Sequence, residues 1–305
     1  MDLGAHLPLI DFGDGPLSAA DLTSYARRCV GLGYTAIAAN DHLVFPRPWL
    51  DGLTALATVA DSSGALTLAT TVALPVVRGP VGLAKALASL DVLSEGRVVA
   101  GVGPGSSPLD HAVVGLDYAE RWRRLDEAVP TMRALWRGEP YDGHFYSTRG
   151  TTMTPTPSQP GGPPIWLGSW GSVAGLRRVA DLADGWLASA YHITPSSFAA
   201  AKTRLTEDRR AATGQGEGSF PNAVASFFFH ITDRRAVAEH LVDDVLAPAL
   251  NRDPEVLADR LAVGPSELLT ERLTALRDAG AQRVYLWPLR DPLPQLELAR
   301  RAWPD

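Results

Sequence analysis

Apolar residues along this chain come in short runs, and each run is followed by a longer stretch in which apolar positions recur at helical spacing. The runs fall at 3–10, 34–39, 66–74, 98–102, 164–168, 185–190, 223–231 and 283–287. Helical stretches are predicted over 19–30, 50–61, 81–93, 118–136, 172–182, 195–212, 266–279 and 295–300, with a further helical region around Pro248 and Pro254. Ser18 stands where a side-chain oxygen would cap the first of these helices. Most runs are apolar throughout rather than alternating, as expected of strands covered on both faces. Eight strand–helix units predict an α/β fold, a closed (β/α)8 TIM barrel. A doubly wound open sheet is the competing architecture, but no G-x-G-x-x-G turn follows the first run. The segments between 103 and 164 and between 232 and 263 are too long for plain connections and predict insertions in the loops after strands four and seven. No domain linker interrupts the pattern, so 1–305 is expected to be one domain.

In such a barrel, chemistry gathers at the carboxyl ends of the strands. Asn40-Asp41-His42 follows the second run, and an imidazole there titrates near neutrality and can give or take a proton. His42 is therefore the candidate acid–base group, and Asp41, its neighbour, is expected to orient it. The sequence Gly168-Ser169-Trp170-Gly171-Ser172 follows the fifth run and leads into a helix. Its glycines and the free N–H groups of that helix make it a candidate phosphate seat. Gly103 and Gly105, after the fourth run, would let backbone pass close to a planar ring. His192 and His230 end later strands without a supporting pattern. Trp170 and Trp287 fall at rim positions, while most of the eight tryptophans are expected to be packing. In the charge run 120–127, most residues read as a solvated helix face, with Arg121 available to brace the loops.

Composition narrows the choice. The 305 residues suffice for a large core, and a net charge of −6 argues against a nucleic-acid partner. The one cysteine, Cys29, lies in an apolar helical pattern and is expected to be a buried hydrophobe. No His/Asp/Glu spacing suggests a metal, and no G-x-S-x-G elbow suggests a hydrolase. Lacking a signal peptide pattern and any long apolar span, the chain is expected in the cytoplasm and not in a membrane.

Taken together, several segments resemble the luciferase-like monooxygenase family of FMN- and F420-dependent oxidoreductases. They are LTLATTVALPVVRGP (66–80), VGLAKALASLDVLSEGR followed by VVAGVGPG, ERWRRLDEAVPTMRALWRG, YDGHFY, PPIWLGSWG, VADLADGW, and VGPSELLTERLTALRDAGAQRVYLWP. The likeness extends over nearly the whole chain. It implies the same barrel, a cofactor at its carboxyl rim, and a phosphate held by residues 168–172 with Gly103 and Gly105 near the cofactor. It also implies a non-prolyl cis peptide at Thr71–Val72 beneath the cofactor ring, and Asn40 is expected among the cofactor-binding residues. Asp41-His42 resembles the Asp-His of members that use coenzyme F420, which points to hydride transfer with a small-molecule substrate. FMN-dependent oxygenation is the alternative, with reduced cofactor delivered by a separate reductase. A non-catalytic flavin-binding protein is a third. Sugar-phosphate dehydrogenases of the family have a tryptophan after that histidine and a glutamate after the strand-four glycines. Pro46 and Ser106 stand there, so sugar-phosphate oxidation is not expected. By the same resemblance a homodimer is expected.

Overall fold

The computed structural model describes residues 1–15, 17–213 and 220–304. Among the described residues nine strands form one parallel sheet: β1 (Asp2–His6), β2 (Ala36–Ala39), β3 (Thr67–Thr70), β4 (Val98–Val102), β5 (Ile165–Gly168), β6 (Gly185–Ser189), β7 (Asn222–Ile231), β8 (Ala262–Gly264) and β9 (Arg283–Pro288). Each of β1 to β7 pairs with the next, and β7 pairs with β9, which returns to β1. The sheet thus closes on itself as the eight-stranded barrel that the pattern of apolar runs predicts. The run at 283–287 is the closing strand, β9.

The extra strand, β8, lies outside the ring and pairs only with the end of β7, Phe229 opposite Ala262 and Ile231 opposite Gly264. Three residues are too short to show a period, so the run pattern passes over it. β7 itself bulges at Ser226 (φ 56°), where its register against β9 shifts between Val224 and Phe227.

Two cores divide along the strands. Ala36, Ala38, Ala69, Leu187, Ala223, Ala225 and Tyr285 form a buried cluster of mostly small side chains that fills the barrel's narrow interior. The larger aliphatic residues face the surrounding helices and make the main core. The first helix, Ala19–Gly31, shows how local sequence fixes an element. Ser18 Oγ accepts the Asp21 N–H, and the Asp21 carboxylate accepts the Ser18 N–H, a reciprocal cap at the expected residue. Cys29 is fully buried on that helix, and burial pushes its thiol pKa up.

Both expected insertions are present. After β4 come the helices Pro108–Val113 and Arg121–Arg137, then an excursion folded back on the body by bonds such as Phe145 N–H to Glu127 Oε2 (2.7 Å) and Gln159 N–H to Asp91 Oδ2 (2.9 Å). After β7 come the helices Arg235–His240, Ala247–Leu250 and Pro254–Arg260, the first two joined by a π-helical turn, Leu241–Leu246. No described helix is long and apolar enough to cross a membrane.

Candidate active site

The site begins with Asn40, directly after β2. Its Oδ1 accepts the N–H of Asp41 (2.9 Å) and the N–H of Val72 (2.9 Å), tying the end of β2 to the segment after β3. The Thr71–Val72 peptide is cis, as the resemblance implies. The Val72 side chain then reaches across to β4 and β5. A β-carbon on Gly103 would stand 2.8 Å from Val72 Cγ2, and one on Gly168 would stand 3.0 Å from Val72 Cγ1. Only glycine admits that approach. Four consecutive strand ends thereby meet at one mouth, with Asn40, Thr71, Val72, Gly103 and Gly168 together.

His42 has a partner that sequence neighbours do not reveal. Its Nδ1 lies 2.6 Å from Oδ2 of Asp110, a residue of the short helix after β4. Asp110 is fully buried, and its other oxygen accepts the N–H groups of Leu43 and Val44 (3.0 Å each). Burial opposes charge on this carboxyl. The His42 bond and the two amides outweigh it and hold the pKa below the usual carboxylate value. Facing a carboxylate, Nδ1 carries the proton, and Nε2 is left for chemistry.

Asp41, expected to orient His42, does something else. Its carboxylate takes a two-point bond from Arg78, Nε at 2.7 Å and Nη2 at 2.6 Å, and accepts the Leu74 N–H at 3.2 Å. Arg78 also bonds Asp51, and the Asp41 hydrogen bond leads the causes that raise its pKa. Consecutive residues leaving a strand end point apart, so one carboxylate cannot serve both partners. Asp41 instead fastens the loop after β3 beneath the histidine. Arg78→Ala would strand a carboxylate that is 4 % exposed. We expect it to lower unfolding free energy by about 2 kcal/mol in urea denaturation, short of a fully buried pair because water reaches Arg78.

Across the mouth, residues 168–172 form a turn with Gly171 at φ 89°. Ser172 caps the helix Val173–Leu182 by accepting the Gly175 N–H (3.2 Å), and Ser169 Oγ accepts the Gly171 N–H (3.3 Å). Ser169 itself is buried, its carbonyl accepting the Trp186 indole N–H (3.0 Å). This is the geometry of an anion seat, with partial positive charge at a helix N-terminus and an adaptable glycine turn. Trp170, 53 % exposed, stacks on His192 (centroids 3.8 Å apart). His192 bridges Ser189 Oγ (2.9 Å) and the Arg252 guanidinium (3.0 Å); burial first, then Arg252 and Arg260, lower its pKa to about 4. Arg121 does brace the loop after β4, through Tyr118. Its guanidinium sits 3.9 Å over the Tyr118 ring, and the Tyr118 hydroxyl donates to the Ser106 carbonyl (3.1 Å).

Asp110, His6 and His111 carry no signal in the linear pattern, and other residues show there without their connections. His6, last in β1, is fully buried, donates Nδ1–H to its neighbour Leu7's carbonyl (2.7 Å) and stacks on Trp287 at 3.4 Å. Trp287 meets Trp49 edge-on (5.8 Å), and Trp49 meets His42 (4.8 Å), a continuous aromatic wall. Along this mouth His6 Nε2, Trp49 Nε1, Thr71 Oγ1, His111 Nε2 and Trp287 Nε1 are buried and without hydrogen-bond partners. Buried polar atoms rarely go unpaired, so these atoms, like others such as Tyr146 Oη and His230 Nδ1, keep hydrogen-bonding capacity that a polar guest in the mouth would satisfy. Among the described residues no cluster of His, Cys, Asp or Glu could hold a metal ion.

Glycines at the ends of β4 and β5, a turn leading into a helix N-terminus and a carboxylate-held imidazole share one barrel mouth, an arrangement that fits a cofactor-dependent oxidoreductase. Residues 10–253 match the luciferase-like monooxygenase family, and the chain belongs to it. An F420-dependent hydroxymycolic acid dehydrogenase from Mycobacterium tuberculosis is 29 % identical, over 92 % of this chain and 82 % of its own length. Among solved structures, an F420-dependent secondary alcohol dehydrogenase superposes with a TM-score of 0.84 at 15 % identity, covering 99 % of this chain and 98 % of that one. A monooxygenase from Streptomyces bottropensis superposes at 0.83 with 20 % identity and the same coverage.

Proposed function

We propose that this chain is an F420-dependent oxidoreductase that interconverts a secondary alcohol and its ketone by hydride transfer. The observation that carries the reading is the His42–Asp110 pair standing at the same mouth as the Val72–Gly103–Gly168 seat. Bound there, the deazaflavin supplies a two-electron hydride acceptor or donor. Residues 168–172 would hold its phosphate, and Asn40, whose Oδ1 accepts the Asp41 and Val72 N–H groups, would fix the backbone of its seat. In the oxidative direction His42 Nε2 would take the hydroxyl proton, and the bound cofactor would supply the acceptor for the hydride of the carbinol carbon. One proton and one hydride thus depart, and a carbonyl remains. Asp110 holds Nδ1–H and offsets the positive charge that His42 gains. Phe45 and Trp49, ring centroids 5.4 and 4.8 Å from His42, screen water from that proton.

The relatives support this choice of cofactor and substrate class, since both a sequence relative and a structural neighbour are named as F420-dependent enzymes acting on hydroxyl-bearing compounds. Titration with F420 and with FMN, followed by absorbance, tests it. We expect F420 to bind in the micromolar range and far more tightly than FMN, and an alkanol deuterated at its carbinol carbon to show a primary isotope effect on F420 reduction. Tight FMN binding with oxygen consumption would overturn it in favour of oxygenation. A homodimer belongs to the same proposal, and sedimentation of the purified protein reads it; a separate reductase delivering reduced cofactor belongs to the oxygenation alternative.

A further inference from the structure

Behind Trp49 lies a cavity of about 310 Å³ that the reading above does not use. It is a cleft partly open to solvent, and its volume reaches the lower end of small-ligand sites. It is built from the loops after β1, β2 and β9, all at the carboxyl rim. Leu9, Ile10, Pro48, Trp49, Leu289 and Pro292 are among its lining residues. The walls are held by backbone bonds: Leu50 N–H to the Leu9 carbonyl (3.0 Å), Asp11 N–H to the Pro48 carbonyl (3.0 Å) and Leu289 N–H to the Phe229 carbonyl (3.0 Å). An isolated bridge between Ile10 and Trp49 joins two of the loops. The space is therefore formed before any guest arrives.

Its charge excludes the cofactor's phosphate as the guest. Among the described lining residues none is basic, while Asp11 and Asp14 are acidic. The N–H groups of Gly13 and Gly15 hold the Asp11 carboxyl below its usual pKa, so it stays ionised. The phosphate seat also lies across the barrel. It follows β5, four strands from β1 in either direction around the ring. What joins the cavity to the chemistry is Trp49, which both lines it and touches the His42 ring.

We propose that this cavity receives the uncharged hydrocarbon arm of the substrate whose hydroxyl or carbonyl stands at His42. This rests on the alcohol–ketone reading and narrows it. The enzyme selects a compound with one polar reacting end and an apolar tail, and Trp49 is the wall along which the tail passes. Burying each added methylene strengthens binding about fourfold until the space is filled.

The test is a series from 2-butanol to 2-decanol, titrated calorimetrically into the cofactor-free protein and then used as substrates with F420. We expect Kd, and KM with it, to fall about two- to fourfold per methylene and then level off. Leu17→Trp and Leu50→Trp replace partly exposed lining residues with bulk that fills the space. Each should weaken binding of the long alcohols at least tenfold, leaving 2-butanol and F420 affinity as they were. Equal Kd across the series, or a chain-length dependence that survives in both variants, overturns the proposal. Failure of F420 to bind would overturn the reading of the active site instead, and the calorimetric series on the cofactor-free protein would still decide the cavity.

Discussion

His42→Gln and Asp110→Asn each lower kcat for the best-turned-over 2-alkanol by about 10²–10⁴, the range for removing a positioned acid–base group, while F420 still binds. The two variants act by different routes. Glutamine removes the titrating nitrogen. Asparagine keeps the shape but turns a charged acceptor into a neutral amide, whose NH₂ can face Nδ1 and draw the proton to Nε2, where it blocks acceptance from substrate. It also takes charge from the oxygen that accepts the amides of Leu43 and Val44. Because the residues act as a unit, the double variant is expected to be little slower than the worse single one. The split between kcat and binding separates positioning from mere structure. If Asp110 works through His42, Asp110→Asn lowers kcat while the Kd for F420 and the midpoint of urea denaturation stay near those of the parent chain. Full activity in His42→Gln would remove the imidazole from the mechanism.

Much of this site was legible because strand ends are legible. Apolar runs located the carboxyl termini, and the barrel then required Asn40, His42, Gly103 and Gly168 to share a mouth. What a linear pattern does not carry is which side chain meets which across it. Asp110 stands in the first turn of a short helix capped by Ser107, its N–H bonding Ser107 Oγ at 3.3 Å. Its second use, 68 residues from its partner, follows only from how the loop after β4 folds over β2. Asp41 and Arg78 were both in view, but their pairing depends on the angle at which two strands end. Adjacency suggested that Asp41 serves His42; alternation of direction leaving the strand sends it to Arg78 instead. His6 was hidden for the opposite reason. A histidine closing an apolar strand looks like packing, and only the closed ring puts it against Trp287.

That burial makes His6 the source of a second large effect, on stability toward acid. Desolvation lowers its pKa to about 3, partly countered by the Leu7 carbonyl, against 6.5 in an exposed chain. Between those values the unfolded chain takes up a proton that the folded chain refuses. Acid therefore favours unfolding throughout that window, and the stability present above pH 6.5 drains away as pH falls toward 3. The loss from this one group is on the order of 4 kcal/mol over the whole window and roughly 2–3 kcal/mol between pH 7 and 4.5. His192, lowered to about 4 and partly open to water, adds a smaller share in the same direction. Replacing His6 by Phe keeps a flat ring for Trp287 to stack upon and removes the titration. Urea denaturation at both pH values should show His6→Phe losing roughly 2–3 kcal/mol less than the parent chain on acidification. Equal losses would mean that the folded barrel admits a proton at His6, and hence that water or another acceptor reaches Nε2. The same bare nitrogen explains why the mouth tolerates so unfavourable a residue. With Nδ1–H fixed on a carbonyl, Nε2 can only accept, so a guest bringing a hydrogen-bond donor into the mouth would satisfy it without charging it.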